Sequence, residues 1–199
     1  MLPFYRKPLF RVRRMVALVL LGAAFVTLAL RADATGPTLR GTAAEATVSV
    51  TPMVDKVRDA TSRYLDVNVA VGDGWVPATP CVSGPMSGAM GVHFILPTRL
   101  RDGVLAASEP EALIYEPQPN GAMRLVGVEF IVLATDWSSL HNDGSVPQVD
   151  GHLTNYVGEP NRYGLPAFYE LHVWAWEDNP NGSFADWNTR VSCDSQAAP

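Results

Sequence analysis

Apolar and polar positions alternate most clearly between Ala167 and Glu177, AFYELHVWAWE. In an extended chain Tyr169, Leu171, Val173 and Ala175 fall on one side, and Glu170, His172, Trp174 and Trp176 on the other. Three earlier runs read as strands as well: Gly91 to Leu96 (GVHFIL), Glu111 to Glu116 (EALIYE) and Leu125 to Ala134 (LVGVEFIVLA). The last of these is apolar on both sides. Val126, Val128, Phe130 and Val132 form one side, and Leu125, Ile131 and Leu133 share the other with Glu129. Such a strand is central and covered on both faces. Pro117 to Gly121 (PQPNG) is a hairpin turn between the second and third runs.

Ahead of the strands the period changes. Val54, Val57, Thr61, Tyr64 and Leu65 recur at helical spacing, with Lys56, Arg58, Asp59, Ser62 and Arg63 between them. Thr51-Pro52 makes a helix start and Gly72-Asp73-Gly74 a stop, so one long helix over 51–71 is expected. Trp75 to Gly91 is an irregular connector. Asp136 to Pro166 is long and polar, which marks it as a functional flap or as a host for short elements. Together these elements predict an α+β fold, with one N-terminal helix packed on an antiparallel sheet of about four strands, cystatin-like or NTF2-like. A β-barrel or sandwich with a peripheral helix is the alternative.

The first 34 residues follow a different rule. Arg6, Lys7, Arg11, Arg13 and Arg14 precede the apolar run Met15 to Leu30, and Ala32-Asp33-Ala34 has the small-x-small form of a cleavage site. This is the pattern of a signal peptide over 1–34, followed by a flexible leader over 35–50 and a single domain over 51–199. Residues 15–30 retained as a membrane anchor is the rival reading, although sixteen apolar residues fall short of a usual span. An exported protein, periplasmic or extracellular, is the expectation. Six of the 15 basic and one of the 20 acidic groups lie in 1–34, which leaves nine and nineteen, a net charge of −10. That balance repels phosphate backbones and anionic lipid, so nucleic acid is excluded as a partner and a membrane enters only through the anchor.

Cys81 and Cys193 are the two cysteines. In an oxidising compartment an even pair bridges, and this one ties the C-terminus to the body of the domain. The absence of a CxxC pair argues against redox chemistry. Neither GxSxG, GxGxxG nor a P-loop is present, which removes the usual signals of serine hydrolases and nucleotide binders.

Candidate chemistry comes from polar side chains set inside apolar strands. His93, Glu129 and His172 each occupy such a position. A carboxylate on a doubly covered strand must be paired, protonated or metal-bound. Two histidines and one carboxylate make a familiar set for a divalent transition metal. A hydrogen-bonded polar cluster without metal is the competing expectation. Trp174, Trp176 and Tyr169 are candidates for the walls of a ligand pocket, with plain core packing as the alternative. His141-Asn142-Asp143-Gly144 and Asp150-Gly151-His152 read as Asx-Gly turns that border a pocket at most.

The motifs GAMGVHF, PEALIYEP, LVGVEFIV and ELHVWAWEDNPNGSFADWN followed by VSC resemble a group of exported bacterial proteins of unknown function. The likeness runs from Ala60 to Cys193 and implies a bacterial, exported setting. It implies no activity and no catalytic residues. The expected function is a binding module for a small molecule or an envelope partner, with His93, Glu129 and His172 at the centre of its pocket. A metal-dependent enzyme using the same three residues, and a structural or partner-binding envelope protein, are the other readings.

Overall fold

The computed structural model describes residues 51–196, so the signal peptide and leader expected over 1–50 lie outside the described residues. Helix α1 spans Pro52–Thr61, a 3-10 turn spans Ser62–Leu65, and helix α2 spans Val67–Gly72. The strands are β1 (Val76–Pro77), β2 (Val82–Gly84), β3 (Gly88–Ile95), β4 (Ala112–Pro117), β5 (Met123–Leu133), β6 (Gln148–Val149), β7 (His152–Leu153), β8 (Asn155–Val157) and β9 (Phe168–Val173), with helix α3 (Ala134–Leu140) after β5. Seven strands form one antiparallel sheet in the order β1-β3-β4-β5-β9-β8, with β2 also on β3; β6 and β7 pair separately. The class is α+β. The sheet is larger than the expected four strands because the connector Trp75 to Gly91 supplies β1 and β2 and the long segment 136–166 supplies β8; that segment also holds the separate β6–β7 pair. Among the described residues no helix is long and apolar enough to cross a membrane.

The expected single helix is broken where a side chain distant in sequence competes for its backbone. Thr51 caps α1 through the N–H of Val54, as the Thr-Pro start predicted. A continuous helix would pair the Tyr64 carbonyl with the Asn68 N–H. Instead the buried Tyr115 hydroxyl donates to the Tyr64 carbonyl at 2.7 Å, and Asn68 donates to the Asp66 side chain at 2.9 Å. Asp66 thus restarts the chain as the cap of α2.

One sheet face packs against these helices. Val92, Phe94, Leu113, Tyr115, Val128, Phe130, Leu171 and Val173 meet Met53, Val54 and Val57 of α1, Ala70 of α2, and Trp75. A bulge in the β4–β5 pair sets what lies on the other face: Ile114 pairs with Gly127, but Tyr115 pairs with Leu125. Val126 is the extra residue. Strict alternation placed Val126 with Val128 and Leu125 with Glu129. The bulge reverses both, so Leu125 joins the helix-side core and Val126 joins Ile114 and Trp174 opposite. Gly127 suits this position, since a Cβ there would lie 2.8 Å from the Val173 carbonyl oxygen.

Cys81 and Cys193 form a disulfide across 112 residues of sequence. Closing a loop of that size stabilises the fold by about 4–5 kcal/mol in the loop-entropy picture. Glu116 adds a polar anchor beside it. One of its carboxylate oxygens accepts from the Ser192 N–H at 2.8 Å, and the other pairs with Arg124, which also reaches Glu177. A disulfide of this kind belongs to an oxidising, non-cytoplasmic compartment.

Candidate metal centre

The face turned away from the helices carries the polar cluster. Ile95, Ala112, Glu129 and His172 stand in register across β3, β4, β5 and β9. His93 lies one step along β3, opposite Ile114. One strand, β4, separates His93 from Glu129, and the His93 Nε2 lies 3.3 Å from Glu129 Oε2. The side chain between them is that of Ala112, too small to keep them apart and itself fully buried. His93, Glu129 and His172 therefore meet, each with one ligand atom within 4.8 Å of the others. The expectation that these three strands deliver their polar groups to one place describes the geometry.

Each group is held by its surroundings. The Thr79 hydroxyl sits 3.2 Å from His93 Nδ1 and accepts the His93 backbone N–H at 3.3 Å, while the Ala78 N–H donates to the His93 carbonyl. A partner on Nδ1 orients the ring and leaves Nε2 facing Glu129, the arrangement metal-binding imidazoles use. His172 packs edge-on to His93, with ring centres 5.9 Å apart, and stacks with Trp174. Trp174 is fixed in turn by its indole N–H, which donates to the Ala185 carbonyl.

Burial governs the electrostatics. His93 is pushed down to about 4 by loss of water. His172 falls to about 3, through burial first and the neighbouring His93 second. Both rings are neutral near pH 7 and hold a lone pair available to a metal. Glu129 is raised well above the usual carboxylate range, by burial and then by Glu170, whose side chain it meets. Glu170 is raised too, chiefly by burial. Two carboxyls in contact share a proton rather than both ionise. Asp186, raised by burial, completes the group from the loop after the aromatic turn.

The donors present fit a transition metal. His93 Nε2 and both nitrogens of His172 are buried without a hydrogen-bond partner, although His93 Nε2 lies close to Glu129. Buried polar atoms left unpaired carry a desolvation cost that coordination would remove. Neutral imidazoles with carboxylates suit zinc, iron, manganese or copper.

A cavity of about 70 Å³ opens beside the cluster, with His93, Glu129, Thr79 and Tyr163 among apolar walls that include Leu100 and Phe168. Its outer wall is a loop built on Asn161. The Asn161 side chain accepts the N–H groups of Tyr163 and Leu165 and donates to the carbonyls of Gly158 and Leu165. That tight turn presents Tyr163 and Leu165 to the cavity, so part of the long segment 136–166 does cover a pocket.

The expected aromatic walls divide. Trp174 lies against the cluster, but Trp176 does not. β9 ends at Val173, and the N–H groups of Trp176 and Glu177 both turn to the carbonyl of the bulged Val126. Trp176 consequently packs with the helix-side core and donates to the Thr61 hydroxyl at 3.0 Å. Tyr169 lies on the face opposite His172, edge-on to Tyr156. The loop histidines are not among the residues that line the cavity: His141 stacks on Trp137 and His152 packs on Phe184. Asp143 makes an ordinary Asx turn to Ser145, and Asp150 pairs with Lys56.

Sequence reasoning passed over Glu170, Asp186, Thr79 and Tyr163. Glu170 carried a readable signal, since it shares the His172 side of β9 two residues earlier. The other three reach the site from connecting segments, where periodicity has nothing to say. No family model, curated protein or solved structure matches the chain.

Proposed function

We propose that this chain is an exported bacterial binding module whose pocket is built around one divalent transition metal, held by His93, Glu129 and His172. The observation that carries the reading is the set of buried imidazole nitrogens without partners, gathered beside a buried carboxylate. Thr79 supports His93 as an orienting group, and Trp174 supports His172. The exported setting draws on the N-terminal pattern, the family resemblance and the disulfide. The finer architecture, cystatin-like or NTF2-like, belongs to the same proposal.

The neighbouring cavity points to the class of small molecule the module takes. No lysine or arginine is among its described lining residues, and Glu129 stands in its wall. Carboxylate and phosphate ligands are therefore disfavoured, and a small, largely apolar, neutral molecule with one donor atom fits. The same cavity favours a second reading, metal-dependent catalysis, because a bound molecule would lie against His93 and Glu129. In that reading Glu129 serves as ligand or general base.

Elemental analysis of the purified protein tests the proposal. A stoichiometric transition metal is expected, lost in His93→Gln with folding retained by circular dichroism. A metal-free protein that takes up none of zinc, manganese, iron or copper after chelation would support the structural, partner-binding envelope role instead.

A further inference from the structure

His172 belongs to two ligand groups. One is His93, Glu129 and His172; the other is Glu170, His172 and Asp186, whose ligand atoms likewise lie within 4.8 Å of one another. The two groups adjoin, since Glu170 precedes His172 on the same face of β9 and its side chain meets Glu129. The second group has its own unpartnered atoms. Glu170 is 5% exposed, and its Oε2 is buried without a hydrogen bond. His172 is fully buried, and its Nδ1, 3.9 Å from Asp186 Oδ1, is unpaired.

We propose that Glu170, His172 and Asp186 form a second divalent-cation site beside the first, making the centre dinuclear. This inference rests on the single-metal reading above and adds one ion to it. The donor set, one imidazole and two carboxylates, is of the borderline-to-hard class that takes zinc or manganese. The two positions differ in access. The side chains of the first are 5% exposed or less, whereas that of Asp186 is 34% exposed. Asp186 comes from the loop after the aromatic turn and is held by Asn155 Nδ2 at 3.4 Å. The second ion is accordingly the solvent-side, more readily exchanged one. His172 serves both ions, one through each ring nitrogen, so taking up the second ion releases the remaining imidazole N–H proton to solvent and the ring bridges the pair as imidazolate.

Zinc alone is the probe, with untagged protein stripped by chelator, reloaded and desalted. Zinc is counted by elemental analysis, and the two binding steps are separated by competition with a chromophoric chelator. Two equivalents per chain are expected. Asp186→Asn, at a half-buried loop position, should lose the second equivalent or weaken it at least tenfold while the first is unchanged. Glu170→Gln should do the same, and His93→Gln should instead remove the tight, buried equivalent. A wild-type protein with one equivalent overturns the second site and leaves the single-metal reading standing. Two equivalents with a second step unaffected by Asp186→Asn and Glu170→Gln place that ion elsewhere and also overturn it. No bound zinc at all overturns both.

Discussion

Glu111 offers a test of how far burial controls charge beneath this site. It is 1% exposed, and its Oε2 accepts the Ile131 N–H at 2.9 Å on the strand that carries Glu129. Burial pushes its carboxyl up to about 9, outweighing the opposing effect of that hydrogen bond. Between pH 4.5 and 9 the unfolded chain is ionised at this position while the folded chain keeps its proton. The folded state then binds one more proton, so stability falls as pH rises, by about 1.4 kcal/mol per pH unit. From pH 5 to pH 8 the loss from this one group is about 4 kcal/mol. Glu111→Gln keeps the shape and the acceptor for Ile131 but cannot ionise. Urea unfolding of both proteins at pH 5 and pH 8, with the disulfide intact and chelator present, measures the difference. Relative to wild type the variant should gain about 4 kcal/mol between the two pH values, with an unchanged m-value. Identical pH dependence in the two proteins would refute the argument that Glu111 is held protonated by the fold.

The remaining predictions probe the placement of particular side chains. Zinc at a hundred times its dissociation constant should stabilise the folded protein by about 2.7 kcal/mol in thermal or urea unfolding, an effect absent in His93→Gln. Thr61→Val leaves the Trp176 indole N–H unpaired and should lower stability by about 1–3 kcal/mol without changing metal content; a loss of metal would return Trp176 to the site. Replacing Cys81 and Cys193 together by serine should cost about 2–5 kcal/mol in urea unfolding, with zinc content retained at low denaturant. His93 and His172 should also make the metal-free fold acid-sensitive. Each pKa is depressed in the folded state, so their contribution is present above about 6.5 and falls away as pH drops toward 4 for His93 and 3 for His172. Comparing wild type and His93→Gln over that range by circular dichroism isolates the His93 share.

Much of the scaffold was legible because it depends on local rules. Period-two alternation marks β9, and two-sided apolarity marks β5 as a central strand. The Thr-Pro cap marks the start of α1. An even cysteine pair behind an apparent export signal marks the disulfide. The burial of Glu129 also follows from its strand, and with it the need for partners. Pattern rules failed where a distant group competed for a backbone atom. The Tyr115 hydroxyl takes a carbonyl that a single long helix requires, and the carbonyl of the bulged Val126 takes the N–H of Trp176.

The sequence by itself set three polar side chains, His93, Glu129 and His172, inside apolar strands, and it argued burial for Glu129 alone, on its doubly covered strand. Their meeting was a tertiary matter. It needed β3, β4, β5 and β9 in that order, and a register that sets the small Ala112 opposite Glu129 with His93 one step along on β3. Glu170 and Asp186 joined the same group through β9 and the loop beyond it. Alternation along a strand selects a face. Strand order and register, set by contacts remote in sequence, select the neighbour.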